Sequence, residues 1–241
     1  MIQMALMWGE RSVEVASNLL RSDWMVNCIL FLCLLVIPIV YVKSKDRLFK
    51  NLGLGALSRE RTPMVDGVTT SNVRYTFLLV FHSCLMSAFV AYYCFSQFIP
   101  SILLTLSPIL LLGGTTICFL LFFLAKWVIY IFVNHVFFQK ERILAWTITF
   151  VNVFVCLGLL LFPLVLLMVF SDVLARFMVL VVVGILFLAK FTLFWKCFSI
   201  FFEKKYGFFH LILYFCALEI LPDLILWKGI VFANDNLILN I

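Results

Sequence analysis

An all-helical, polytopic bundle set in a lipid bilayer is the fold class this sequence predicts, and three observations predict it. Hydrophobic residues fill 65% of the 241 positions and charged residues only 12%, which leaves too little polar surface to cover a water-soluble globule. Six apolar stretches are each long enough to cross roughly 30 Å of hydrocarbon as a helix. The Lys and Arg residues gather between alternate stretches, as orientation in a bilayer requires. Soluble enzymes, nucleic-acid binders and disulfide scaffolds are excluded by this composition.

In chain order, residues 1–22 carry Met4, Trp8, Val15 and Leu19 at helical spacing among Glu10, Arg11 and Glu14, the pattern of an interfacial helix or a frayed tail. They lack a basic leader and a small-residue cleavage site, so the first span is expected to be retained. The membrane domain is read as residues 23–228. Its first span runs Trp24 to Val42 and its second Tyr75 to Ile99, with the polar loop 43–74 between them, broken by Gly53, Gly55, Pro63 and Gly67. The third starts at Pro108 and reaches Phe138, long enough that Trp127 to Phe138 reads either as its end or as an interfacial segment in a five-span alternative. Gly113-Gly114-Thr115-Thr116 inside it either lets backbones approach or unwinds the helix. The fourth span is Ile143 to Phe170, the fifth Val173 to Trp195 and the sixth Tyr206 to Trp227, before a tail at residues 229–241.

Orientation follows from the cations. With both termini outside, fourteen of the 18 Lys and Arg residues fall on the inner side, seven of them between Lys43 and Arg74, and only Arg11, Arg21, Arg176 and Lys228 stay outside. The loop 43–74 then faces the anionic inner leaflet. Tyr41, Tyr75, Trp127, Trp146, Trp195 and Tyr206 fall at the inner rim in this frame. Trp24, Trp227, Tyr92 and Tyr93 fall toward the outer one.

Polar side chains inside spans are read first as helix contacts. Ser83, Ser87 and Ala91 recur every four residues in the second span, and Thr149, Asn152, Cys156 and Pro163 share a face of the fourth. The eight cysteines lie almost all in apolar runs without a Cys-x-x-Cys, as small hydrophobes do. His82, His135 and His210 fall toward the inner side, yet no spacing puts two ligands on one helix face, so neither metal nor cofactor is expected. Hydrolase, zinc-protease and ATPase motifs are absent.

A charge at the centre of a span costs about 2.5 to 3.5 kcal/mol on insertion scales. Lys126 either snorkels or marks where the chain leaves the core, while Lys190 and Lys196, near the inner end of the fifth helix, can snorkel and need no function on that reading. Glu219 is different, because its short stem cannot carry the carboxylate out of the sixth span. At about 100° per residue it shares a face with Cys216 and Asp223, while His210 and Tyr214 lie nearly opposite. His210 is also about 13 Å away along the axis, so the two cannot act as a dyad on one helix. Pro222 lacks an N–H and clashes with the carbonyl of Leu218, which predicts a bend beside Glu219. Without a cationic partner Glu219 would be a neutral hydrogen-bond donor, bracing that bend through Asn152, a Tyr or a backbone group, or carrying protons.

The run Phe209-His210-x-x-Leu213-Tyr214-x-Cys216-Ala217-x-Glu219-Ile220-x-Pro222, followed by an apolar tail to Lys228, resembles the C-terminal signature of the bacterial domain-of-unknown-function 4271 family. Phe162-Pro163-Leu164 and the basic stretch after the fifth span are similar to that family's layout, and the resemblance extends from about Leu30 to Lys228. It implies a small multi-pass protein of the bacterial inner membrane and singles out His210, Tyr214, Glu219 and Pro222, but supplies no reaction. Membrane lipid, and a membrane-protein partner or a second copy of the chain, are the partners expected. The function expected is a non-enzymatic transport or envelope-assembly role. Its rivals are an intramembrane lipid-acting enzyme using Glu219, Asp223 and His210 and a structural subunit of a larger complex.

Overall fold

A computed structural model describes residues 24–35, 38, 70–98, 107–137, 140–201, 216–226 and 228–229, and every ordered element among them is helical. We label the helices α1 (Trp24–Leu35), α2 (Thr70–Phe98), α3 (Pro108–Phe137), α4 (Lys140–Phe170), α5 (Asp172–Phe201) and α6 (residues 216–226). Four of them, α2 to α5, are long and apolar enough to cross a membrane. The chain is thus an all-α protein of the membrane-spanning kind. The N-terminal tail, the rest of the first span, most of the loop 43–74, the first half of the sixth span and the C-terminal tail lie outside the described residues.

Local chemistry explains where these helices start. Pro108 opens α3 where its missing N–H is no loss, and the Ser107 carbonyl accepts the amide of Leu111 at 3.1 Å to close the first turn. Ser171 is the single non-helical residue between α4 and α5. Its amide still bonds the Leu167 carbonyl at 2.9 Å, so the chain reverses within one residue. The third span is one unbroken helix: α3 passes Lys126 and Trp127 and ends at Phe137, so Trp127 to Phe137 continues that helix and is not a separate piece. Gly113 and Gly114 do not unwind α3, which stays continuous through them, and among the described residues nothing lies within 4 Å of a Cβ built on either. Thr115 and Thr116 instead bond back to the carbonyls of Leu111 and Leu112 at 2.7 to 3.0 Å.

The core has two tiers. At one end Val26 and Leu30 of α1 pack with Met86, Phe89, Tyr92 and Tyr93 of α2, Leu112 of α3, Leu161 to Val169 of α4, and Met178 and Val182 of α5. At the other, Leu79 and Cys84 of α2 meet Phe123 and Tyr130 of α3, Trp146 and Phe150 of α4, Leu193 and Cys197 of α5 and Leu218 of α6. Early residues of α2 and α4 share a tier with late residues of α3 and α5, so α3 and α5 run parallel to each other and antiparallel to α4. Three aromatics expected at the rims are buried here: Tyr92 and Tyr93 in the first tier and Trp146 in the second, each at most 1% exposed. A ring large enough to anchor at a headgroup is also large enough to fill an interhelical gap, and packing prevails.

Two helices approach closely at Gly158. A Cβ built there would lie 2.6 Å from the Cα of Ser83, so α2 and α4 touch backbone to backbone in the small-residue manner of membrane bundles. The Ser83 and Ser87 hydroxyls bond their own helix, at Leu79 and Ser83 carbonyls, both at 2.9 Å. The stripe therefore serves packing, and those two hydroxyls are satisfied without a second helix.

Candidate functional site

Four charged residues of the spans converge. Lys126 lies 18 residues after the first residue of α3 and Lys190 lies 18 after the first of α5. On two parallel helices that spacing brings both ammonium groups to the same depth. Against them α6 presents Glu219 and Asp223, one helical turn apart, as the shared face predicted from sequence requires.

The four side chains close a ring of alternating charge. Lys126 Nζ lies 2.9 Å from Glu219 Oε2 and 2.9 Å from Asp223 Oδ1, and Lys190 Nζ lies 2.6 Å from Glu219 Oε2 and 2.6 Å from Asp223 Oδ2. Formal charges cancel. The Tyr130 hydroxyl donates to the other Glu219 oxygen, Oε1, so both carboxylate oxygens are engaged. Lys126 also reaches the main-chain carbonyl of Glu219 at 3.4 Å and sits 5.3 Å from the centre of the Phe122 ring. Below Tyr130 an aromatic stack holds it in place: Trp146 edge-on at 5.5 Å and Phe150 tilted at 4.9 Å, with Phe123 stacked on Phe150 at 5.5 Å.

Burial divides the ring in two. Glu219 is 1% exposed and the Lys126 side chain 6%, whereas the side chains of Lys190 and Asp223 are 41% and 40% exposed. One ion pair is sealed inside the bundle and the other looks out between α5 and α6. The backbone carrying the carboxylates is irregular: Cys216–Ile220 forms a π turn before Pro222. A proline needs the turn before it to widen or bend, and here the widening falls on Glu219 itself.

Several expectations change with this geometry. Lys190 does not snorkel free; it binds both carboxylates, because an opposite charge at equal depth is nearer than the headgroups. Lys126, likewise, does not mark an exit of the chain. Asn152 is not a partner of Glu219, and its side-chain nitrogen has no hydrogen-bond partner among the described residues. His82 is buried on α2, edge-on to Phe162 at 5.8 Å and beside the Gly158 backbone, and is not part of the ring. His210 and Tyr214 lie outside the described residues. Among the described residues no three His, Cys, Asp or Glu side chains gather in a way that would hold a metal. Lys126, Tyr130 and Lys190 are the participants sequence reasoning missed. The sequence places the two lysines deep in their spans, but only the position of α6 pairs them with the carboxylates, and nothing in the sequence singles out Tyr130.

A family model described as a domain of unknown function (DUF4271) matches residues 26–230. The chain belongs to the DUF4271 family. No curated protein and no solved structure matches it significantly. The match takes in all of α2 to α6, so every member of the ring lies within the DUF4271 region.

Chemically, the ring is poorly set up for acid/base catalysis, since both Glu219 oxygens already accept hydrogen bonds. It is well set up to respond to charge. Loss of the negative charge on Glu219 would leave two ammonium groups sharing one carboxylate on three different helices.

Proposed function

We propose that this DUF4271 protein is a multi-pass protein of the bacterial inner membrane with a non-enzymatic transport role, in which the Lys126–Glu219–Lys190–Asp223 ring is the element that changes state. Both termini face outward in this reading, and the loop 43–74 lies against anionic lipid of the inner leaflet. The family resemblance supports the membrane, and the cation distribution supports the orientation.

The observation that carries the transport reading is the double use of Glu219 Oε2, which accepts from lysines on two separate helices. Ionisable groups within spans mark ion and proton routes when they face the bundle interior and pair with one another. Stability alone is a weak reason for such a ring, because apolar residues of similar volume usually hold an interior at least as well. A proton delivered to Glu219 turns a neutral set into one of net positive charge. The like charges of Lys126 and Lys190 then push α3 and α5 apart at α6. Proton arrival is in this way converted to helix movement.

The test keeps charge balance, so that loss of folding is not mistaken for loss of function. Glu219→Gln combined with Lys126→Gln removes the titrating group and one cation together. Expressed in a strain deleted for the native gene, this double variant is expected to accumulate to the normal level and fail to restore growth fitness. Full restoration would contradict the proton-coupled reading.

A further inference from the structure

The two carboxylates of the ring are not equivalent. Glu219 is sealed, with Oε1 taken by Tyr130 and Oε2 by both lysines. Asp223 bridges the same two lysines with one oxygen each, Oδ1 to Lys126 at 2.9 Å and Oδ2 to Lys190 at 2.6 Å, and its side chain is 40% exposed. A carboxylate bridging two ammonium groups from the open side occupies the position an anionic ligand would take. We propose that Lys126 and Lys190 form an anion seat for a substrate bearing a carboxylate or phosphate group, and that Asp223 fills this seat as a tethered stand-in. The identification of the anion as a substrate rests on the transport reading above.

Charge and access specify the occupant. With Glu219 retained, the seat without Asp223 carries one net positive charge among apolar helices, so it takes a singly charged anion and rejects neutral or cationic ligands. The ligand must also present two oxygens across a bite like that of Asp223. The mouth lies beside Lys190 and Asp223, whose neighbours in sequence, Phe187, Phe191, Ile220 and Leu224, are 47 to 72% exposed. An apolar rim suits an anionic headgroup entering from the bilayer, while a small free anion meets the same two lysines. Displacement is local, because Asp223 follows Pro222 and the π turn Cys216–Ile220, the least regular backbone of the described helices.

The experiment uses the full chain, purified and placed in phosphatidylcholine nanodiscs, and measures its thermal midpoint. Asp223→Ala and Asp223→Ser both remove the bridging carboxylate and most of its volume, so the question stays answerable if one of them fails to fold. Acetate and inorganic phosphate probe free anions, phosphatidylglycerol doped into the disc probes headgroups, and chloride controls for ionic strength. Either variant should gain about 3 °C or more from at least one probe, saturably, and wild type less, because its own Asp223 competes. The probe that acts identifies the source. Adding Lys190→Gln to either variant should abolish the gain. No gain beyond chloride, or an equal gain when Lys190 is absent, overturns the proposal. Growth with Glu219→Gln/Lys126→Gln is a separate readout: failure to grow without any anion response removes the seat and keeps the transport reading, whereas an anion response with full growth keeps the seat and removes that reading.

Discussion

Lys126 is an ammonium group almost wholly enclosed by protein, in contact with two carboxylates, a carbonyl and an aromatic ring. At this scale the Tyr130 hydroxyl offers the cleanest single change. Tyr130→Phe leaves the contacts with Trp146 and Phe150 in place and deletes the hydroxyl that donates to Glu219 Oε1. A hydrogen bond to a charged group is worth about 1.5 to 3 kcal/mol, so the variant should lose stability of that order in chemical unfolding, with helix content kept. Glu219 was legible in the sequence because no carboxylate stem can snorkel from there. Lys126 and Lys190 were not, because a lysine at that depth has two outcomes, a partner or the headgroups, and only the position of α6 chooses between them. The buried roles of Tyr92, Tyr93 and Trp146 were hidden for a related reason: amphipathic rings suit both rim and core.

Helices were easier to read than their ends. Hydropathy placed the fourth span at Ile143 and the fifth as far as Trp195, while α4 begins at Lys140 and α5 ends at Phe201. Backbone hydrogen bonding does not stop where the hydrocarbon does. Close contacts between elements were harder still, since Gly158 is an ordinary glycine until α2 is laid against it. Gly158→Leu should force α2 and α4 apart, costing about 1 to 3 kcal/mol or more and lowering the folded yield in membranes. Ser83→Gly should not rescue it, because the obstructing atom is the Ser83 Cα and not only its side chain. Recovery of folded yield in the double variant would show that the helices do not meet there. A π turn, Cys216–Ile220, lies just before Pro222. Pro222→Ala supplies the missing N–H, lets the turn relax toward α geometry and rotates Glu219 relative to Asp223. The variant should be less stable than wild type, although helix propensity alone favours alanine.

At the scale of the whole molecule, the described residues form a two-tier apolar core with one ring of charge joining α3, α5 and α6. Lys126 and Lys190 lie in that ring and so do not count toward orientation. Of the sixteen Lys and Arg residues left, twelve still fall on the inner side when both termini are outside. Reporter fusions at each terminus and in the loop 43–74 should read outside, outside and inside; a cytoplasmic C-terminus would remove the six-span order. The central claim is that the four charges stabilise one another as a closed set, and a double-mutant stability cycle on Lys126→Met and Glu219→Leu tests it most directly. Each single change strands a charge within the bundle and should cost about 3 to 5 kcal/mol, whereas the double change leaves the neutral Lys190–Asp223 pair and should cost less than either single change. Losses that simply add in the double variant would contradict the ring.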